Sequence, residues 1–547
     1  MIKYTISCPN PASQFLSFQL QVENFEHSEL EIQLPAWRAG RYQLANYAQN
    51  IRFLKAWDKN QNPLPIRKIT KDRWAIAESG EITITYEYWA GKMDAGSAWV
   101  DDQQVYFNPV NCCFEVIGLS HLPAEVKLDL PDFPEQLATL KPLGNGAWIA
   151  DDFQLLADST VLASKNLIHW NYQVGETVFQ IWIQGEVHFE MDLFIRRFKD
   201  FSQKLIHDFG EFPEPEYHFI FQLLPYPHYH GVEHRRGTVI TFGPAENLAD
   251  PAQMEELLGV SCHELYHAWN VCRIRPKELL PYDFSKETYT TAGLILEGVT
   301  TYMGDLYLLK SGVYDLPTYL RHFEKVINRE ANSFGWKNLS ILDSSFDLWL
   351  DGYQAGIPDR KVSIYTHGTL LNFCLDVILL ENGSSLSIVM RLMWEKFGKP
   401  MVGYTLEDFK SIIEQESQSP DLIQNFFDRF VAGNEDVFPI LEEKLQLVGL
   451  KLIPSFSEDQ LLHQFGIRTD DSHRIIQIHP ESQAYQFLML VDQILEFGLP
   501  EDRSLHLKLL RKGRKLEQII TAESRTFFPV YKLKNESETI LQKTWKT

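Results

Sequence analysis

Positive charge is in short supply in this chain: 51 Lys and Arg stand against 73 Asp and Glu, a net −22. Such a surface repels phosphate backbones and anionic lipid, which argues against nucleic-acid and membrane partners and mildly favours cationic ligands, free amines included. Cysteine is scarce as well. The six (Cys8, Cys112, Cys113, Cys262, Cys272 and Cys374) are scattered, with neither the density of a disulfide framework nor a CxxC metal spacing. They read as reduced thiols. No stretch approaches the roughly 18–20 apolar residues of a membrane span, and the opening MIKYTISCPN has no apolar run of signal-peptide length. The expected location is cytoplasmic.

What is present is ample core material. Hydrophobic residues make up 44 % and charged residues 23 % of 547, which excludes a disordered or fibrous chain and calls for two to four domains. Residues 1–188 alternate apolar and polar positions at period two, as in LEIQLP (30–35), EITITYEYWA (81–90) and VFQIWIQGEV (178–187). Many short strands without helical segments predict an N-terminal antiparallel β-sandwich-like domain. From 189 to 444 the period becomes helical, beginning with MDLFIRRFKDFSQKLIHDFG and broken by one strand, YHFIFQLL (217–224). Thr405, with Asp408 three residues on, is a predicted helix cap. Residues 445–530 give strand, turn, short helix and strand, closed by the hairpin LHLKLLRKGRKLEQIIT, and 531–547 reads as a polar C-terminal tail. The fold class is multidomain α+β.

One short stretch concentrates the chemistry. SCHELYHAWN holds His263 and His267 four residues apart, with Glu264 directly after the first. The pattern also arises by accident on ordinary helices, so its surroundings decide. Asp250 and Pro251 start a helix well, and on such a helix the two imidazoles lie one turn apart on the same side. Both can then reach one zinc ion, with Glu264 beside them as a base for water. The third ligand is expected from TTAGLILEGVTTYMGDL. Glu297 there lies within an apolar stripe where an unpaired carboxylate is costly. One zinc per chain is predicted.

At this point the chain resembles the glycyl aminopeptidase family of zinc metallopeptidases. HELYHAWNVCRIRPKEL and LEGVTTYMGDL carry the resemblance, with LPAWRAGRYQLANYAQNI, YFNPVNCCFEVIG, YHGVEHR, IYTHGTLLNFCLD and FFDRFVAGNEDVFP in the family's order. The family implies a β-rich N-terminal domain, a thermolysin-like catalytic domain and a C-terminal PDZ-like domain. It also implies that Gly231 and Glu233 form the element that holds a substrate's α-amine, and that Tyr365 donates to the oxyanion. Small N-terminal residues such as glycine or alanine are the implied preference. Two positions depart from the family: His230 replaces a glycine and His367 a lysine.

Several alternatives stand beside this reading. Glu233 could pair with Arg235 or Arg236, and Tyr302 or Tyr353 could take the part of Tyr365. His228 and His230 could form a second metal pair or a polar loop. The whole could be an endopeptidase of the same chemistry, or a PDZ-bearing scaffold with a dormant zinc site. The expected partners are peptides with free N-termini and a peptide or protein ligand of the PDZ-like domain.

Overall fold

The computed structural model describes residues 2–25, 28–77, 80–354, 356–456, 458–500 and 504–547. The N-terminal region is β-rich, as the period-two pattern predicts. Ile2–Ser7 and Gly80–Trp89 bury every second side chain. An eight-stranded sheet and two four-stranded sheets share one core, which includes Phe18, Trp74, Tyr86, Phe107 and Phe114. The sheet is mixed rather than purely antiparallel, because Ile2–Ser7 pairs in parallel with Ala124–Asp129 across a long crossover.

The middle region is helical around one five-stranded sheet, ordered Ile168–Val174, Thr177–Gln184, Glu216–Leu223, Gly237–Gly243, His228–His234. Its first two strands precede residue 188. They pair with each other, and the second pairs with the central strand Glu216–Leu223, so the middle body begins about twenty residues earlier than the sequence pattern suggests. Strand periodicity tells which residues pair but not to which sheet they belong. The helix Met191–Phe209 packs Phe194, Phe198, Phe201 and Leu205 on this sheet, with Phe198 edge-on to Phe219 and Phe221. Thr405 and Asp408 cap each other through reciprocal hydrogen bonds. Among the described residues no single helix is long and apolar enough to cross a membrane.

The largest correction concerns the end of the chain. Residues 531–547 are not a tail: Val530–Asn535 pairs antiparallel with Leu450–Ser455, and the closing helix Ile540–Trp545 buries Trp545 completely. The Trp545 indole N–H donates to Tyr302 Oη at 2.8 Å, and Tyr302 donates to Asp376. Polar residues dominate this stretch, so composition alone hid one deeply packed anchor. Ser455 pairs directly with Val530, so residues 456–529 form a module inserted into a hairpin of the middle body. The module has a small core of its own, including Phe465, Ile467, Leu488, Leu505 and Leu509. It docks on the end of helix Leu316–Ala331. There Phe334 meets Phe528, and the Arg468 and Gln477 side chains both bond Asn332.

Candidate active site

Asp250 caps the helix Pro251–Tyr266 by accepting from the Ala252 amide, and Pro251 fills its first turn. His263 lies in the last turn and His267 is the C-cap. The next helix opens with a π-turn, Leu294–Val299, before Thr300–Lys310 continues as α. Such a turn inserts a residue into the helical ladder and re-aims its side chain, a device common at functional sites. Here it carries Glu297, which is only 5 % exposed.

These elements bring three ligand-type atoms together. His263 Nε2 and His267 Nε2 are 3.1 Å apart, and each is 3.6 Å from Glu297 Oε2. Ligands on a tetrahedral zinc at the usual bond lengths stand about 3.3 Å from one another. The His267 ring pairs through Nδ1 with the Asn270 carbonyl at 3.0 Å, which fixes the tautomer and turns the Nε2 lone pair toward the other two atoms. Glu297 Oε2 is buried without a hydrogen-bond partner, as is Glu264 Oε2. Two imidazoles and a carboxylate at these separations, with an orphaned buried oxygen, fit zinc.

The electrostatics point the same way. Burial works against the charge on Glu297, but His263 and His267 outweigh it and bring the carboxyl down to about 2. Burial likewise works against a charged His267, yet Glu297, Glu233 and Glu264 raise it to about 10. Burial pushes the Glu264 carboxyl well above its ordinary range, with Glu233 and Glu297 adding to the push against His267. Glu233, Glu264 and Glu297 thus surround His267 with acidic groups, a setting that favours a bound cation.

Glu233 lies on His228–His234, the last strand of the five-stranded sheet. It is buried, and its carboxylate comes within 4.8 Å of the ligand atoms of Glu264 and His267, as do those of His263, His267 and Glu297 with one another. These two groups of metal-ligand type share His267, so its single free lone pair cannot serve both. Among the described residues no ion pair joins Glu233 to either arginine: Arg236 pairs with Glu214, and Arg235 Nε is buried without a hydrogen-bond partner. Gly231 is explained sterically, since a Cβ there would overlap Glu264 Oε1. Tyr365 caps the helix Thr366–Glu381 and lines the same cavity of about 390 Å³, as does Tyr353. The two tyrosines hydrogen-bond each other, and Tyr353 donates to the Gly40 carbonyl. Tyr302, bound to Asp376 and Trp545, does not line this cavity.

The departures from the family pattern have definite partners. His230 pairs with Asp94 through Nδ1 at 2.5 Å and meets Arg38 Nη2 at 3.5 Å. His367 bonds Glu330 at 2.8 Å and ties two helices together, outside the cavity. His228 and His230 belong to no metal-ligand group among the described residues.

Two site residues escaped the sequence reading, Arg38 and Gly40. Both lie in LPAWRAGRY, a loop of the N-terminal region that reaches into the cavity. Gly40 has φ +72°, and a Cβ there would overlap the Glu233 carboxylate. Trp37 and Tyr42 pin the loop against Trp349 of the catalytic body. The segment was visible as a motif, but nothing local ties it to a glutamate almost two hundred residues away.

Comparison with known proteins gives the family and the fold. The Peptidase M61 N-terminal domain family matches residues 3–165, and the M61 glycyl aminopeptidase family matches residues 256–371. No curated protein matches the sequence. The crystal structure of an aminopeptidase N family protein from Idiomarina loihiensis superposes with a TM-score of 0.90 at 24 % identity, covering 100 % of both chains. That of an M1 zinc metallopeptidase from Deinococcus radiodurans gives 0.50 at 12 %, covering 80 % of this chain and 94 % of its own. At these identities the likeness is one of fold.

Proposed function

The chain belongs to the M61 glycyl aminopeptidase family, and from that premise we propose that it is a zinc aminopeptidase that removes small N-terminal residues, glycine or alanine, from peptides. The observation that carries the reading is Glu233. It is a buried carboxylate at the sheet edge, beside the His263–His267–Glu297 triad and not engaged by its neighbouring arginines. A substrate's ammonium group would complete it.

In this reading His263, His267 and Glu297 would hold one zinc ion, which when bound would supply Lewis acidity to the scissile carbonyl and to water. Glu233 binds the α-ammonium through charge-assisted hydrogen bonds and sets the distance from the N-terminus to the cleaved bond. Glu264 takes the proton of the attacking water and returns it to the leaving amine. Tyr365, steadied by Tyr353, donates to the carbonyl oxygen as charge develops on it. Arg38 and Gly40 line the amine end, where the Gly40 backbone comes close against the Glu233 carboxylate. The catalytic body is thermolysin-like and the inserted module PDZ-like, and the six free, buried cysteines suit a reducing cytoplasm.

Paired peptides test the proposal. Wild type should cleave H-Gly and H-Ala substrates and nearly ignore their N-acetylated twins. Losing a contact of this type costs about 2–5 kcal/mol, or roughly 30- to several-thousand-fold in kcat/KM. Glu233→Ala should erase most of that discrimination with zinc still bound. Equal cleavage of acetylated peptides at internal bonds by wild type would refute the reading in favour of an endopeptidase.

A further inference from the structure

A second cleft, of about 1000 Å³, adjoins the site cavity and shares two of its walls, Tyr353 and Tyr365. One side is the loop 356–364 of the catalytic body. The other is the module's strand Ile475–Ile478 with the turn that follows. Apolar side chains lie bare along it: Ile357 is 67 % exposed, Ile476 52 % and Met489 57 %, with Tyr485 beside them. Concentrated apolar exposure of this kind marks a binding surface. The cations on its rim are largely neutralised, since Arg360 pairs with Asp347 and Asp351, and Lys361 with Asp351. The far wall is held in place where Arg468 and Gln477 bond Asn332. The site cavity is different in its other direction, where Glu255, Glu256, His322 and Lys325 form a network of paired charges.

We propose that this cleft binds the part of the peptide substrate that follows the scissile bond, and that it selects apolar side chains at the second and third positions beyond it. The inference rests on the aminopeptidase reading. With the ammonium at Glu233 and the scissile carbonyl at Tyr365, the departing chain starts beside the tyrosine pair, and past that pair the wall is apolar. The inserted module thereby forms one face of the substrate site, although every group assigned a chemical role lies before it in the chain. A well-filled apolar subsite is worth about 10-fold or more in kcat/KM.

The full chain and its variants Ile476→Asp and Met489→Asp would be assayed on three substrates. These are glycine p-nitroanilide, which has no residue beyond the scissile bond, and the amidated peptides Gly-Ala-Leu-Phe and Gly-Ala-Ser-Ser. Both positions are solvent-exposed, so folding is not at stake, and Tyr485→Ala provides a truncation without added charge. Wild type should prefer the Leu-Phe peptide by about 10-fold or more. Each aspartate variant should lose that preference while keeping its nitroanilide kcat/KM within about twofold. An unchanged preference in all three variants, or equal losses on every substrate, would overturn the inference. Cleavage of neither the nitroanilide nor the free-amine peptides by wild type would instead refute the aminopeptidase reading itself.

Discussion

The two clefts that meet at Tyr353 and Tyr365 are built on opposite principles. The site cavity gathers buried charges, Glu233, Glu264, Glu297 and His267, on elements of the central body, and leaves carboxylate oxygens without partners. The adjoining cleft gathers exposed apolar groups, one wall from a loop and the other from an inserted module. Burying an unpaired charge costs several kcal/mol, so the first arrangement persists only where the fold around it is strong and a ligand will complete it. Leaving a few apolar groups bare costs little. The second can therefore stand on a module with a small core, and can vary without endangering the first.

The contrast can be broken most directly at Glu264. Glu264→Gln should keep stoichiometric zinc, measured by metal analysis, while kcat falls by about 10²–10⁴-fold or more, because only the base is lost. His263→Ala and Glu297→Ala should lose the metal instead. Full zinc occupancy in Glu297→Ala would move the third ligand elsewhere. Gly231→Ala should approach the Glu264→Gln rate, since its methyl group would occupy the space of Glu264 Oε1. Wild-type activity there would mean that the base sits differently during turnover.

Stability should divide along a different line from the domain order in sequence. Trp545→Ala removes a fully buried indole and its bond to Tyr302, and should destabilise the catalytic body by about 3–5 kcal/mol. Deleting everything from residue 445 should therefore unfold it. Replacing residues 456–529 by a short turn between Ser455 and Val530 should leave a folded protein that still hydrolyses glycine p-nitroanilide. A melting temperature unchanged by Trp545→Ala would show that the last helix is merely laid on the surface.

The smallest expected effect is on pH. His479 sits among Phe334, Phe527 and Phe528 where the module docks, and burial lowers it from an ordinary 6.5 to about 4. The folded state thus binds this proton less well than the unfolded one. Its stabilising contribution is complete above pH 6.5 and is lost as the pH falls toward 4. After allowance for partial exposure, the loss is about 1–2 kcal/mol. Proteolysis of the module at pH 7 and pH 4.5 should show this difference in wild type and a smaller one in His479→Phe. An identical pH response in both would remove His479 as its cause.

The sequence determined the parts whose spacing is local. His263, Glu264 and His267 fall within one helix, where a four-residue step fixes which side chains share a face, and Thr405 and Asp408 cap their own turn. Period-two alternation likewise marked the N-terminal region as β. Tertiary structure alone decided what depends on distant segments meeting. It assigned Ile168–Gln184 to the catalytic sheet, brought Gly40 against Glu233 and paired Val530–Asn535 with Leu450–Ser455. It also set the module against Tyr353 and Tyr365, and made Trp545 a core residue despite its polar neighbours. Local patterns report which face of an element is buried. Which element covers that face is fixed only when the whole chain packs, because any apolar surface of suitable shape satisfies the same demand.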